Sequence, residues 1–252
     1  MSEESGRVWV YGVVPADAKL KELEGRDDLP DVWVVESGDL AAIVGDAPED
    51  DPKATRNQAL AHSHVLDAAV RDAPVVPMRF GIMCPSDEKV ASGILEEHHD
   101  QLAELLGRLE DRVQLMLKVY YHEESLLREI LEKEPEAAKL REAIQEAPED
   151  ATRDQRVRLG ELISNAVEQR RERDSADILE QLQDVVLEAE SEPIEKELMV
   201  LNAPLLVARD GVEDLEKAVE EVAEPRSERM HFRLIGPMPA YHFIETEEPA
   251  AA

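Results

Sequence analysis

The chain has 252 residues, 43% of them hydrophobic, and its 58 acidic and 28 basic side chains give a formal net charge of −30. This length accommodates one large or two small domains, and the apolar share is sufficient for a folded core. The charge argues against nucleic acid and against an anionic lipid membrane as the main partner, because both would repel such a surface. An acidic surface of this kind is typical of a salt-rich cytoplasm and equally of an acidic mesophilic protein.

The single cysteine and the N-terminal residues indicate the cellular compartment. Cys84 has no second cysteine to pair with, so an intrachain disulfide and a thiolate metal site are excluded. The segment Met1–Glu4 is acidic, whereas a signal peptide begins with basic and then apolar residues. We therefore expect a cytoplasmic protein.

The first part of the chain predicts a mixed α/β domain over residues 1–110. β-Branched and aromatic runs predict strands, and the turn signal Ser37-Gly38-Asp39 predicts that two of them form a hairpin. Pro77 either places the last strand near a sheet edge or ends it, and Ser86 is positioned to cap a helix. The predicted strands are 7–14, 31–36, 40–44 and 75–80. The predicted helices are 55–71, which begins at either Thr55 or Asn57, and 86–109.

The second part predicts a ferredoxin-like domain over residues 111–246, followed by a loose tail, 247–252. Its predicted order is strand, helix, strand, strand, helix, strand, and the fold class is therefore α+β with two mixed domains. Short charged helices over 122–148, broken at Pro135 and Pro148, form an insertion. Residues 168–177 have almost nothing to bury and are either a solvated stretch of the long helix or a break in it. The predicted strands are 113–121, 197–201, 204–208 and 230–235, of which the middle two are alternatively one kinked strand, and the predicted long helix is 152–189.

The histidines do not form a recognisable metal-binding pattern. His62 and His64 are two residues apart on a helix, and His98 and His99 are adjacent, so the members of each pair point in different directions. We interpret them as histidines at the edge of a core with hydrogen-bonded nitrogens. The sequence therefore predicts no metal and no cofactor.

No catalytic residue is predicted either. A nucleophilic thiol needs a base nearby, and the spacing around Cys84 provides none. Gly81, Gly93 and Gly107 are scattered, and Gly236-Pro237 cannot cradle an anion through consecutive amides because proline has no N–H. We expect a protein that is not an enzyme.

Two stretches combine apolar residues, proline and a cation in an otherwise acidic chain: 75–81 and 233–243. Prolines on both sides of Met238 predict a stiff, extended segment in which Tyr241 and Phe243 lie on the same side. This segment either pins the C-terminal end to the core or presents an apolar surface to a partner. The candidate partner-binding residues are Arg79, Phe80, Arg233, Pro237, Tyr241 and Phe243.

The same stretches carry a family resemblance. The Val-Pro-Met-Arg-Phe-Gly segment at 76–81, Val-Tyr-Gly at 10–12, and Arg-Leu-Ile-Gly-Pro-x-Pro-x-Tyr-x-Phe at 233–243 resemble the gas vesicle protein family GvpL/GvpF. The resemblance spans nearly the whole chain in order, although members usually carry an aromatic residue where Met238 stands and a proline where Ala240 stands.

This resemblance implies a minor gas vesicle component that helps to nucleate and assemble the shell. It implies that the protein binds the apolar main shell protein and prevents its aggregation, that other gas vesicle accessory proteins are partners, and that the fold has two α/β domains. The residues alone leave an alternative, a small-ligand regulator or an enzyme on a ferredoxin-like scaffold.

Overall fold

The computed structural model describes residues 6–26, 28–47, 55–146, 148 and 151–244, so the predicted tail 247–252 lies outside the described residues. The chain forms two compact units. The first comprises the described residues of Met1–Leu115, Leu206–Asp210 and Ile235–Ala252, and the second comprises Met116–Leu205 and Gly211–Leu234. The predicted domains, 1–110 and 111–246, are two consecutive segments of the chain. Each of the observed units instead combines segments that are separated in the sequence.

The first unit is built on a sheet in the order β2-β3-β1-β4, with β5 also paired to β1. The predicted hairpin is confirmed: β2 and β3 pair antiparallel from Val32 opposite Gly45 to Ser37 opposite Leu40, and Gly38 takes the positive φ of 64° in the turn. The strands are β1 Val8–Pro15, β2 Val32–Ser37, β3 Leu40–Asp46, β4 Val76–Pro77 and β5 Met83–Cys84.

Two helical regions accompany this sheet. Helix α1, Arg56–Asp72, begins as predicted after Thr55, whose side chain accepts a hydrogen bond from the backbone N–H of Gln58. The predicted helix 86–109 is instead α2, Asp87–Val90, a π-helical turn, Ala91–Glu96, and α3, His99–Leu109. Ser92 in that turn donates its hydroxyl to the Glu88 carbonyl, a local bond that competes with regular helix geometry.

The core of the first unit joins both ends of the chain. Valines of β1 pack with leucines of α3 and with the C-terminal residues Phe243 and Ile244, which are 5% and 8% exposed. The C-terminal segment is therefore part of the core that the N-terminal strands begin.

The second sheet has the strand order β7-β8-β6-β9. Tyr121 donates its backbone N–H to Leu198 and Arg209 donates to Asp111, which makes β6 and β8 antiparallel. The strands are β6 Arg112–Tyr121, β7 Glu188–Ala189, β8 Met199–Ala208 and β9 Met230–Met238. The region predicted as two strands or one kinked strand is thus the single strand β8. The α+β class is confirmed, and the ferredoxin-like assignment stays a prediction because β7 has only two residues.

Four helices belong to this second part: α4 Glu123–Lys133, α5 Pro135–Glu146, α6 Arg153–Leu182 and α7 Val212–Ala223. The first two occupy the predicted insertion and separate at Pro135, as expected. The prediction that residues 168–177 have almost nothing to bury is wrong, since α6 is continuous there and Arg170 is only 7% exposed. Arg171 also donates to the backbone carbonyls of Glu197 and Met199.

Strand β9 extends through Pro237 to Met238, three residues beyond the predicted end. It lies at the edge of the sheet, where a residue without an N–H costs no ladder hydrogen bond. Gly236 takes a φ of 139°, and a Cβ there would come within 3.0 Å of the Gln114 carbonyl oxygen. Only glycine fits this position without a shift of the neighbouring strand.

Candidate functional site

A buried histidine organises the region where the motif 75–81 meets the first strand. His62, on the inner side of α1, is 4% exposed. The indole Nε1 of Trp9 donates to its Nδ1 at 3.0 Å, and its Nε2 lies 3.1 Å from the carbonyl oxygen of Met78. An indole nitrogen can only donate, so Nδ1 is the acceptor and Nε2 carries the proton.

This environment keeps the imidazole neutral. Burial lowers the pKa of His62 and outweighs the hydrogen bond to Met78, which acts to raise it. The ring has a partner at each nitrogen, as we expect for a histidine at the edge of a core, and no lone pair is left for a metal ion. His64, two residues along, is exposed, so the two side chains diverge as predicted.

Aromatic rings surround His62. Its ring stacks on Tyr11 with centroids 5.2 Å apart and meets Phe80 at 5.8 Å, and Phe80 in turn packs edge-on against Trp9 at 4.9 Å. Such contacts fix the orientation of Phe80 beyond what its buried area alone would provide. Phe80, and with it the Arg79-Phe80 pair, is thus held on an aromatic base.

An open pocket of about 350 Å³, which we call the aromatic pocket, lies over this base. One wall comes from α1 and the segment after β4, and the other comes from the C-terminal segment. Its lining residues are Ala59, His62, Ser63, Pro77, Met78, Arg79, Phe80, Tyr241 and Ile244. The two stretches singled out in the sequence therefore come together at one site of the first unit.

Tyr241 is the accessible aromatic residue of this pocket, with 42% of its surface exposed. Desolvation raises the pKa of its phenol, and the nearby Asp67 carboxylate raises it further, so the hydroxyl stays protonated and neutral. The pocket offers partners an apolar ring with a polar tip, together with the exposed guanidinium of Arg79.

The remaining candidates lie elsewhere. Tyr241 and Phe243 do not share one side, because Tyr241–Phe243 is a 3₁₀ turn that directs Phe243 into the core. Pro237 is half-buried at the end of β9, and Arg233 belongs to the second unit. There it lines a different pocket, of about 590 Å³, with Tyr120 and His231. Of the six candidates, Arg79, Phe80 and Tyr241 line the aromatic pocket.

Sequence reasoning missed a charged network in the second unit. Asp174 of α6 accepts hydrogen bonds from the Tyr121 hydroxyl at 2.7 Å and from Arg229 at 2.9 Å. Arg229 also donates to Glu129 of α4 at 3.0 Å, and Lys133 donates to the other oxygen of Glu129 at 2.8 Å. One signal in the sequence is the density of arginines at 170–173, inside the segment predicted to have almost nothing to bury, because such a cluster indicates ion pairs.

The pKa shifts in this network follow from its charges. Burial acts to raise the pKa of Glu129, but the hydrogen bond from Lys133 and the charge of Arg229 outweigh it and hold the pKa below its usual value. Burial, and then the bond to Asp174, raises the pKa of the Tyr121 phenol. These two shifts keep the Glu129 carboxylate ionised and the Tyr121 phenol neutral.

Metal ligands, membrane-spanning helices and a reactive thiol would each indicate another class of function. Across the described residues, no group of three or more histidine, cysteine, aspartate or glutamate side chains could hold a metal ion. In the same part of the chain, no helix is both long and apolar enough to cross a membrane. Burial raises the pKa of the Cys84 thiol, which disfavours the nucleophilic thiolate.

Comparison with known proteins finds relatives that match nearly the whole length of the chain. The family model "Gas vesicle synthesis protein GvpL/GvpF" matches residues 7–245. Gas vesicle protein F of Streptomyces sp. (strain CB03234) is 33% identical over 241 residues, which cover 94% of this chain and 99% of the relative. Gas vesicle protein F of Haloferax mediterranei is 22% identical, with coverage of 96% and 94%.

The fold is shared with solved structures. The crystal structure of the gas vesicle protein GvpF from Anabaena sp. PCC7120 matches with a TM-score of 0.79 at 20% identity, covering 97% of this chain and 100% of that one. GvpF from Microcystis aeruginosa matches with a TM-score of 0.73 at 19% identity, with coverage of 95% and 99%. With a family model that spans nearly all of its length and a relative one-third identical to it, the chain belongs to the GvpL/GvpF family of gas vesicle synthesis proteins.

Proposed function

We propose that this protein acts in gas vesicle assembly by binding the apolar main shell protein through the aromatic pocket and preventing its aggregation. The observation that carries the proposal is the meeting of two separate motifs, Arg79-Phe80 and Tyr241, at one accessible pocket. A partner with an apolar surface is held by apolar contact area, while charge steers and solubilises.

The role of the pocket in binding rests on its rigidity. Phe80 is fixed by Trp9 and His62, so little side-chain freedom is lost when a partner residue enters. Tyr241 supplies an aromatic ring of the kind that dominates binding energy at interfaces. The formal net charge of −30 keeps a complex with an apolar partner in solution.

The proposed role is non-catalytic. Both nitrogens of His62 are engaged by Trp9 and Met78, and burial disfavours the Cys84 thiolate. The two side chains that most resemble a base and a nucleophile in this unit thus have structural environments. We propose a partner-binding component located with the gas vesicle, with other accessory proteins as further partners.

The test is capture of the purified shell protein by the immobilised chain. Tyr241→Ala removes the exposed ring, and we expect capture to weaken roughly tenfold, the loss of about 1.4 kcal/mol typical of an interface aromatic. Tyr241→Phe retains the ring and should bind nearly as well as the wild type.

A matched control tests whether any exposed apolar side chain has the same effect. Leu187 is 53% exposed in the second unit, so Leu187→Ala removes comparable accessible apolar surface away from the pocket. Circular dichroism establishes that each variant is folded. Equal capture by Tyr241→Ala and the wild type would remove the pocket as the binding site.

A further inference from the structure

Strand β2 is a free sheet edge. It pairs with β3 on one side and is the terminal strand of the first sheet. The hairpin closes through two residues, so Ser37 and Leu40 form a hydrogen-bonded pair and such pairs alternate along the ladder. The backbone N–H and C=O groups of Val32, Val34 and Glu36 therefore point away from β3. Within the described ranges, no hydrogen bond is made to these groups from the free side.

The other sheet edges in the described part of the chain have features that limit strand addition. Strands β4, β5 and β7 have two residues each. Strand β9 ends in Gly236-Pro237 and exposes His231 and Arg233. Proline, charge and shortness are the usual protections of an edge.

Strand β2 has six residues, and its one charged residue, Glu36, lies near its end. Its segment 32–35, Val-Trp-Val-Val, contains neither proline nor charge, and Val34 is 44% exposed. An open groove of about 790 Å³ borders the strand, between residues of the Ala18–Arg26 loop and Val32–Val34. An added strand would thus meet a row of free backbone groups and an apolar surface.

We propose that β2 is a docking edge to which an extended apolar segment of the main shell protein adds as a further antiparallel or parallel strand. This inference rests on the proposed function and names how the partner is held. Backbone hydrogen bonds supply the attachment, and Val34 with the groove selects apolar side chains.

Charge determines which segment fits. Asp31 and Glu36 flank the apolar run, so the added strand carries neutral or basic residues at its ends. Pairing of β2 with β2 of a second copy would oppose acidic residues in two chains of net charge −30. The edge therefore favours a different, apolar chain over a second copy.

The deciding variant is Val34→Pro, which removes an outward N–H that the fold itself does not use and is compatible with an edge position. We expect capture of purified shell protein to fall roughly tenfold or more, because the added strand loses a ladder hydrogen bond and clashes with the pyrrolidine ring of the new proline. Val34→Thr keeps the N–H and the β-branched shape and should bind within about twofold of the wild type.

A second measurement tests the inference even if the Val34→Pro variant does not fold. Amide hydrogen exchange of the wild-type complex should be slowed at Val32, Val34 and Glu36, whose N–H groups would then be bonded. Val34→Lys, which leaves the backbone intact and charges the edge, should also weaken capture. Unchanged exchange at the three amides, or undiminished capture by folded Val34→Pro, would overturn the inference.

The outcomes separate this inference from the proposed function. If the wild type captures shell protein and Val34→Pro does so equally, only the docking edge fails. If the wild type captures none, the proposed function fails and the edge loses its occupant. Protection of the three amides that rises with protein concentration in the absence of shell protein would assign the edge to a second copy and overturn the stated partner.

Discussion

Around His62 in the first unit, the buried polar groups are neutral and each hydrogen bond joins uncharged partners, whereas around Asp174 in the second unit nearly every partner carries a charge. The first arrangement surrounds an open pocket and the second ties α4 and α6 to the beginning of β9. Neutral bonds contribute modestly, and their failure leaves a desolvated group behind. Charge-assisted bonds are stronger but leave an uncompensated ion when one partner is lost.

This difference indicates which change should destabilise each unit. The neutral cluster should respond to a proton added to His62, and the charged network should respond to the loss of its central cation. The three predictions below test this contrast.

The largest effect is expected in the charged network. Arg229→Met removes the cation shared by Asp174 and Glu129, whose side chains are only 17% and 19% exposed. We expect the free energy of unfolding to fall by about 2–3 kcal/mol, measured by urea denaturation, since two part-buried carboxylates each lose one of their hydrogen-bond donors. Lys217→Met is the matched control, because its ion pair with Asp214 is exposed and should contribute less than about 0.5 kcal/mol. A loss no larger than that of the control would contradict the contrast.

A smaller loss is expected when the neutral cluster loses one bond. Trp9→Phe keeps an aromatic ring but removes the N–H that His62 Nδ1 accepts. The free energy of unfolding should fall by about 1–2 kcal/mol, the cost of leaving one buried acceptor unpaired. Trp33→Phe serves as a comparison, because its indole bonds Asp87 at 3.2 Å in a half-buried position, and its loss should be smaller. Equal stability of wild type and Trp9→Phe would show that this hydrogen bond does not support the pocket.

The smallest effect concerns pH. The pKa of folded His62 is lowered, so the unfolded chain binds a proton first as pH falls through about 6.5, and stability decreases in that direction. Between pH 7 and 5.5 the wild type should lose at most about 1 kcal/mol relative to His62→Gln, which does not titrate. Glu129, with its lowered pKa, supplies stability that disappears only below about pH 4.5. Parallel pH profiles of the two proteins above pH 5.5 would refute the neutral state of His62.

Local patterns accounted for much of the fold. The turn at Gly38 and the cap at Thr55 are fixed by residues within a few positions, so the hairpin and the start of α1 could be predicted. The C-terminal segment could not, because the prolines around Met238 predicted an extended segment while packing of Phe243 against β1 and α3 selects a turn. Tertiary packing overrides local preference at such positions.

The two sites also differ in how far local sequence patterns predict them. Proline and aromatic residues identified both walls of the aromatic pocket, although no pattern joined Tyr241 to Arg79 before the fold was known. The charged network depends on pairs far apart in the chain, such as Tyr121 with Asp174 and Glu129 with Arg229. In a chain with 58 acidic residues, their partners could not be selected from composition.

The return of Phe243 and Ile244 to the core of the first unit has a consequence for biosynthesis. Strands β1 to β3 are synthesised before the second unit, but the core that they begin lacks these two side chains until the second unit has also been synthesised. Domains usually fold in order as they emerge. Here the apolar surface of the N-terminal sheet would stay uncovered while the second unit is synthesised, and the aromatic pocket would form only after that.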